Sequence, residues 1–249
     1  MKISGVIITF NEEENIGECI DSLKEVVDEI IVIDSFSTDA TETICRNKNV
    51  KFIQNTFQGH IQQKNFALHQ TSNNWVLSLD ADERLSLELK KEILNCIDRN
   101  SEFVEAYLIK RFNNYCGKWI RHGVWYPDKK IRLWNKTRGK WDGRNPHDKV
   151  VMDKNSKIQP LNGTILHYTA RTTEQYKLQM EKFSAIAAHS MLKERIRSNL
   201  LKAYIGGAFA FFRSYCLRLG FLDGRAGYEI AIGYGHYTLM KYKKMLTKN

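Results

Sequence analysis

One short stretch of the sequence carries paired acids at the end of a strand-like run. The segment WVLSL, residues 75–79, leads directly into Asp80, Ala81 and Asp82. Two carboxylates one residue apart can place oxygens on one hard divalent cation and leave other positions to water and phosphate oxygens. A solvated strand end with a helix-capping Asp would show the same pattern. The surrounding motifs therefore decide between a metal and diphosphate site and a structural turn.

Two further strand-like runs also end in polar residues. The first is followed by Thr9, Phe10, Asn11 and Glu12, and the second ends at Asp34 in the segment DSFSTD. In open α/β sheets ligands bind at the carboxyl ends of the strands. We therefore expect these side chains to meet at one sheet edge, where they could hold a base and ribose beside metal-bound phosphates.

The elements that must position these groups alternate between strand and helix up to about residue 100. Apolar positions three and four apart predict helices between the strands. The alternation predicts a parallel sheet wrapped by helices. A capping-box-like spacing from Asp39 to Glu42 predicts the start of the second helix. The predicted strands are Ile3 to Thr9, Glu29 to Asp34, Lys51 to Asn55 and Trp75 to Asp80.

The later sequence changes its rhythm twice. Short β segments at 106–112, 130–135, 149–152 and 163–169 alternate with loops, and we expect them to complete the sheet. From Thr172 onward the pattern is helical, with predicted breaks near Gly206-Gly207 and at 220–224. The chain is also dense in aromatic residues that could stack on sugars or fill the core: Trp119, Trp125, Tyr126, Trp134 and Trp141.

Net charge is unevenly distributed. Of a formal net charge of +10, residues 171–249 contribute most, with 14 Lys and Arg against 5 Asp and Glu. Clustered cations can bind nucleic acid, but no nucleic-acid-binding motif accompanies them, and interleaved apolar residues favour an anionic membrane surface. A helical cap with a solvated basic face is the structural alternative. The longest uncharged apolar run, AYIGGAFAFF, is too short to span a bilayer.

Cysteine usage and the N-terminal pattern favour the cytoplasm. The five cysteines are odd in number and lack the close pairs of a zinc site or a disulfide framework. The opening MKISGVIITF passes straight into a strand pattern without the features of a signal peptide. We expect a cytoplasmic protein, peripheral on the inner face of the cytoplasmic membrane.

Taken with GHIQQKNFAL at 59–68, the acidic strand ends resemble the donor half of the family 2 inverting glycosyltransferases, which have the GT-A fold. Later motifs resemble the bacterial branch that adds β-linked glucose to the lipopolysaccharide core. Where that branch more often has His-Glu, this sequence has His147-Asp148. The motifs are WDGRNPHD at 141–148, LHYTARTTEQYKLQMEKFSAIAA at 166–188 and GFLDGRAGYEIA at 220–231.

The resemblance implies a GT-A (Rossmann-like) α/β domain over 1–171 and a basic amphipathic helical region over 172–249. Within the first, residues 1–100 would bind the nucleotide-sugar and residues 101–171 the acceptor. A hexose, with glucose favoured over galactose or an N-acetylhexosamine, would pass from a UDP-α-sugar to a glycan or glycolipid. The favoured acceptor is the lipopolysaccharide or lipooligosaccharide core, with another cell-surface polysaccharide as the alternative. A nucleotidyltransferase is disfavoured, because TFNEEENIG places acid where those enzymes carry a Gly-rich basic loop.

The resemblance also implies roles for individual residues. Mg²⁺ or Mn²⁺ would neutralise the departing diphosphate, with Asp82 as the main ligand and Asp80 and His167 as further ones. A structurally satisfied His167 and a sheet-face Arg132 are the bland alternatives. The predicted nucleotide-sugar contacts are Thr9, Phe10, Asn11, Glu12, Asp34, Lys64, Asp80, Ala81 and Arg132.

The catalytic base should come from the loop-rich half, because Asp80 and Asp82 are committed to the donor. Four acids lie between Ala106 and Thr169: Asp128, Asp142, Asp148 and Asp153. Two of them, Asp128 and Asp153, fall in turn-like sequence. The remaining candidates bracket GRNPH, and we favour Asp148, beside His147, over Asp142. A capping or salt-bridged structural role is the alternative for either acid.

Overall fold

The computed structural model describes residues 1–99, 104–145 and 147–247. The chain forms two compact units, and the division between them falls inside four strands. Unit 1 comprises Met1–Arg111, Lys129–Gly143 and His147–His167, and unit 2 comprises Phe112–Asp128, Arg144–Pro146 and Tyr168–Asn249. The expected division at residue 100 lies outside the described residues, and the domain boundary at residue 171 stays a prediction.

The first half of unit 1 is a parallel α/β arrangement. Its strands pair in register, so that Thr9 lies beside Asp34, and Ile8 lies beside Asp80. The carboxyl ends of three strands therefore share one sheet edge. The strands are β1 Ile3–Thr9, β2 Glu29–Asp34, β3 Lys51–Gln54 and β4 Trp75–Asp80. The helices are α1 Ile16–Leu23, α2 Thr41–Asn47, α3 His60–His69 and α4 Leu87–Arg99.

The later strands extend this sheet, whose order is β3-β2-β1-β4-β8-β6-β11-β5, with β7 paired to β6. Strand β8 runs antiparallel to β4, and β11 runs antiparallel to β5. Strands β9 and β10 form a separate two-stranded sheet. The α/β fold class is thereby confirmed. The bounds are β5 Glu83–Leu85, β6 Ala106–Tyr115, β7 Lys118–Trp119, β8 Asp128–Asn135, β9 Gly139–Arg144, β10 His147–Met152 and β11 Ile158–Ala170.

The parallel strands are buried on both faces. Alternate residues of one strand enter different apolar clusters, since Ile3 and Ile7 join one and Val6 joins the other. Strand β4 does the same with Leu77 and Val76. Strands buried on both faces give continuous apolar runs rather than a polar alternation. The acids that follow these runs are therefore held at the end of a rigid sheet.

Unit 2 is mainly helical, as predicted for the C-terminal region. It contains α5 Thr173–Lys193, α6 Leu200–Phe212 and α7 Gly224–Leu246, with a π-helical turn Arg213–Leu217 and two 3₁₀ turns, Gly123–Trp125 and Gly220–Asp223. Helix α5 begins with a capping box, in which Thr172 accepts from the Gln175 amide. Tyr115, Trp125 and Tyr176 meet edge to face. No helix in the described part of the chain is long and apolar enough to cross a membrane.

Two local predictions have different outcomes. Helix α2 begins at Thr41, as the spacing from Asp39 to Glu42 predicts, and the Asp39 carboxylate accepts from the Thr41 backbone amide at 3.0 Å. The predicted break at Gly206-Gly207 is wrong, because both residues lie within α6. A Cβ at Gly207 would stand 3.0 Å from the Gly235 carbonyl oxygen. These glycines thus permit close packing of two helices and do not interrupt one.

Candidate active site

The loops after β1 and β2 are tied to each other by backbone-to-side-chain hydrogen bonds. Asp34 is fully buried, and its carboxylate accepts from the amide and the hydroxyl of Ser37 at 2.8 and 2.5 Å. Asn11 has a positive φ of 53°. Its amide donates to the Ser37 hydroxyl, and its side-chain oxygen accepts from the Thr38 amide, both at 2.8 Å. The predicted contact residues Asn11 and Asp34 therefore fix the loops after β1 and β2 against each other.

The other predicted residues of this edge differ in their surroundings. Glu12 lies in the loop before α1; its carboxylate accepts from the Asn15 side chain at 2.7 Å, and its backbone amide donates to the Thr41 hydroxyl at 2.9 Å. Phe10 is 47% exposed. The hydroxyl of Thr9 is buried and has no hydrogen-bond partner among the described residues. Since a buried polar atom without a partner is costly, Thr9 is the group here that a ligand would satisfy.

Lys64, on α3, joins two of the predicted site acids. Its Nζ lies 2.9 Å from Asp80 Oδ1 and 2.7 Å from Asp148 Oδ2, and its side chain is only 3% exposed. The ammonium also stands 4.4 Å from the ring centroid of Trp141. The structure thus brings together Asp80, Lys64 and Asp148, which come from three separate elements.

Arg132, on β8, is the second buried cation of the cluster. Its Nη2 donates to Asp80 Oδ2 at 2.9 Å and to Glu83 Oε1 at 2.8 Å. Its Nε and Nη1 are buried without a hydrogen-bond partner among the described residues. Unsatisfied guanidinium donors favour an anionic ligand, because guanidinium pairs well with phosphate. Arg132 is therefore a buried member of the charged cluster with two guanidinium nitrogens that no described residue satisfies.

Glu83 is a central residue that the sequence reasoning missed. It is fully buried, and it accepts from Arg132, from Arg111 at 3.1 Å and from the Asp80 amide at 2.9 Å. A signal was present in the sequence, because Ala81, Glu83 and Leu85 alternate as the inward-facing positions around a short strand. An acid at such a position must be paired inside the protein.

The charges in this cluster shift one another's pKa values. Burial alone would raise the pKa of the Asp80 carboxyl, but Lys64 and Arg132 hold it well below its usual range. Burial also raises the pKa of the Asp148 carboxyl, but Lys64 lowers it more, so that this pKa too lies below its usual range. Against the opposing effect of burial, Glu83 and Asp80 raise the pKa of Arg132. Both acids are therefore ionised at neutral pH.

Asp82 points to a different partner from Asp80. Its Oδ2 lies 3.1 Å from His167 Nε2, and the two side chains are 19% and 11% exposed. Pairing of β5 with β11 places His167 beside Glu83 in the register. No group of three or more His, Cys, Asp or Glu that could hold a metal occurs in the described part of the chain. Protein groups alone would thus supply only part of a coordination sphere.

The remaining candidates are placed differently. Asp142 is exposed, and its carboxylate accepts from the amide of the next residue, Gly143, at 2.7 Å, so the structure does not bring it into the charged cluster. Trp141 is 3% exposed, with the ammonium of Lys64 and the guanidinium of Arg132 over its ring. Ala81 is buried. Pro146, within the predicted motif 141–148, lies outside the described residues.

A parallel sheet whose carboxyl edge gathers paired acids and buried cations is typical of an α/β enzyme that handles phosphorylated ligands. The chain belongs to glycosyl transferase family 2, whose family model matches residues 4–154. It is accordingly a glycosyltransferase.

Two relatives and one solved structure illustrate its likenesses. An uncharacterized glycosyltransferase of Rickettsia typhi is 32% identical over 98% of this chain and 86% of its own. The lipopolysaccharide core biosynthesis glycosyltransferase LpsC of Rhizobium meliloti is 27% identical over 91% of this chain and 88% of its own. The crystal structure of S. aureus TarS 1–349 in complex with UDP covers all of this chain and 92% of its own, with a TM-score of 0.51 at 18% identity. That likeness confirms the GT-A-like fold.

Proposed function

We propose that this glycosyltransferase is an inverting enzyme that transfers glucose from UDP-glucose to the core sugars of a lipopolysaccharide or lipooligosaccharide. The observation that carries the proposal is the charged cluster at the end of β4. It offers the unpartnered guanidinium nitrogens of Arg132 to a diphosphate, and it holds Asp148 in the same cluster through Lys64.

The side chains beside this cluster also fit a divalent cation. Asp82 and His167 supply one carboxylate oxygen and one imidazole nitrogen within 3.1 Å of each other, a donor pair that suits Mn²⁺, while carboxylate and phosphate oxygens suit Mg²⁺. Asp80 would lie near the ion without being its main ligand, because both of its oxygens already contact the cations of Lys64 and Arg132. When bound, the ion would offset the negative charge of the departing diphosphate.

The residues of the chain would then divide the chemistry. The carboxylate of Asp148 takes the proton of the acceptor hydroxyl while that oxygen attacks the anomeric carbon and the bond to UDP breaks. Lys64 keeps this carboxylate ionised by lowering its pKa, against the effect of burial. Arg132 binds the diphosphate, and the Thr9 hydroxyl together with the loops at Asn11 and Asp34 would hold the nucleoside.

Release of UDP tests the donor. The protein is incubated with Mn²⁺ and each of several UDP-sugars, and UDP is measured as it forms by slow background hydrolysis. We expect UDP-glucose to give the fastest release and EDTA to stop it. Release that is faster from UDP-galactose or from a UDP-N-acetylhexosamine would change the proposed donor. Silence with every donor would count against the whole assignment.

The acceptor rests on the relative LpsC, whose name places it in lipopolysaccharide core biosynthesis. Radiolabelled glucose should appear on lipopolysaccharide from strains with truncated cores. Label that appears only on another cell-surface polysaccharide would redirect the assignment to that acceptor. We further propose that the enzyme works at the inner face of the cytoplasmic membrane, since residues 171–249 carry most of the positive charge.

A further inference from the structure

Helix α6 buries small residues and exposes large apolar ones, the opposite of what an amphipathic helix on the surface of a soluble protein does. It buries its smallest residues, Ala203, Gly207 and Ala210. Its large apolar residues are exposed, with Leu201 at 68% and Ile205 at 59%. Soluble proteins rarely expose large contiguous apolar surface unless something binds it. The other exposed large side chains of this helix are Leu200, Tyr204, Phe209 and Phe212.

The exposed apolar surface continues beyond the helix. The connection to α7 exposes Leu217 at 60%, Leu219 at 47% and Leu222 at 55%. Two arginines, Arg213 and Arg218, are exposed within the same stretch. We call the outer face of α6 together with residues 213–222 the apolar tip. All of it belongs to unit 2.

The charge of this segment has one sign. Residues 195–222 contain five Lys and Arg and no Asp or Glu, and all five cations are exposed. The first acid that follows, Asp223, is 4% exposed, and it is occupied by the amides of Arg121 and His122 at 3.0 and 2.7 Å. The apolar tip therefore presents cations and apolar side chains without a compensating carboxylate from its own segment.

We propose that the apolar tip docks this enzyme on an anionic lipid surface, with its leucines and phenylalanines in the interface and its arginines at the headgroups. Large apolar side chains beside cations are what an interfacial helix requires. A second copy of the chain is a poorer occupant, because a twofold contact would bring the cations of the tip, Arg213 and Arg218 among them, close to those of the partner copy. Nucleic acid is poorer too, since aliphatic side chains such as Leu201 and Ile205 offer nothing to phosphates.

The geometry sets how the tip would bind. Helix α6 has 13 residues, which gives it a length of about 20 Å, too short to cross the hydrocarbon core. It would lie in the plane of the interface. The inference rests on the proposed function in one respect, which is that a lipid-linked acceptor gives the enzyme a reason to reside there.

Vesicle sedimentation tests the proposal without donor or acceptor. We expect the full chain to bind phosphatidylglycerol-containing vesicles more strongly than phosphatidylcholine vesicles. The pair Arg213→Gln/Arg218→Gln should weaken binding to the anionic vesicles about thirty-fold, from about one kcal/mol for each cation. The pair Leu201→Gln/Ile205→Gln should weaken it by at least about ten-fold, through lost apolar burial.

Matched controls separate this site from general charge and hydrophobicity. Lys2→Gln/Lys154→Gln removes two exposed cations of unit 1, and Leu87→Gln/Ile158→Gln removes two apolar side chains that are 70% and 46% exposed. Both pairs should bind vesicles like the wild type. Equal and negligible binding of the wild type to both kinds of vesicle would overturn the proposal. So would a lipid-free dimer that the Leu201→Gln/Ile205→Gln pair dissolves. Either outcome would count against the proposed membrane location, but it leaves UDP release unaffected and so leaves the proposed transferase activity standing.

Discussion

Replacing Lys64 with Met tests whether the buried cation holds the candidate site together. Methionine keeps most of the side-chain length and loses the charge. The carboxylates of Asp80 and Asp148 each lie within 3 Å of the Lys64 ammonium and would lose it. Asp80 would still have an ion pair with Arg132. The carboxylate of Asp148, whose side chain is 12% exposed, has no other ion pair in the described structure.

The expected loss follows from this geometry. Removing one partner of a buried ion pair costs about 3–5 kcal/mol, because it leaves an uncompensated buried charge. We expect Lys64→Met to lower the free energy of unfolding by about that amount near neutral pH. The double variant Lys64→Met/Asp148→Asn should recover part of the loss, because it removes the stranded charge as well.

The pH dependence gives a sharper test. The pKa of Asp148 is lowered in the folded wild type, so its ion pair stabilises the fold above the ordinary carboxyl pKa of about 3.9, and that stability is lost as the pH falls through the lowered folded value. In Lys64→Met the same carboxyl keeps burial and the neighbouring Asp80, which raise its pKa, against the lesser lowering effect of Arg132. The difference between wild type and variant should therefore be largest near neutral pH and shrink toward about pH 4.

Urea unfolding followed by tryptophan fluorescence at several pH values measures both effects. A Lys64→Met protein as stable as the wild type at neutral pH would refute the reasoning. So would a loss of stability that does not change with pH and is not relieved by Asp148→Asn, because it would point to lost packing on Trp141 and not to charge.

Three further predictions address the remaining groups. Asp82→Asn should lower UDP release by about a hundred-fold or more. The melting temperature should change little, since the Asp82 side chain is part-exposed and its partner in the structure is the single imidazole of His167. Normal turnover would exclude Asp82 as a metal ligand. Asp148→Asn should abolish transfer to the acceptor and leave the Kd for UDP-sugar within about a few-fold, with the exposed Asp153→Asn as control; full activity would give the role of base to Asp142. Gly163→Ala should lower the free energy of unfolding by about 1–3 kcal/mol or more, because a methyl group there would lie 2.4 Å from a backbone Cα of α4; an unchanged urea midpoint would show that α4 can move aside.

The parallel half of the fold could be predicted closely from sequence. The bounds Ile3–Thr9, Glu29–Asp34 and Trp75–Asp80 are confirmed, because strands buried on both faces are uninterrupted apolar runs that end abruptly in polar residues. Strand β9, with the sequence GKWDGR, was missed. It has no apolar alternation, and the two Gly and one Asp among its six residues are types that are depleted in strands.

The sequence was enough to predict most of the residues that belong to the candidate site, but not which of them contact each other. The contact between Lys64 and Asp148 joins residues 84 positions apart, and no local spacing encodes it. The sequence analysis predicts that Lys64 contacts the nucleotide-sugar and that Asp148 acts on the acceptor, whereas in the structure the two side chains form an ion pair. The assigned roles of these residues stay predictions, since the contacts show neighbours and not chemistry.

The paired acids after β4 also divide in a way that spacing alone could not reveal. Asp80 ends the strand and turns both oxygens to buried cations, while Asp82, two residues later, lies beside His167 at the start of β5. The backbone between them turns because the Asp80 amide donates to Glu83. One acid is therefore already neutralised by two cations of the protein, and the other has a part-exposed carboxylate beside a single imidazole nitrogen. The sequence predicts Asp82 as the main metal ligand and Asp80 as a further one, and the structure gives the two acids different partners, because Lys64 and Arg132 pair with Asp80 while His167 lies beside Asp82.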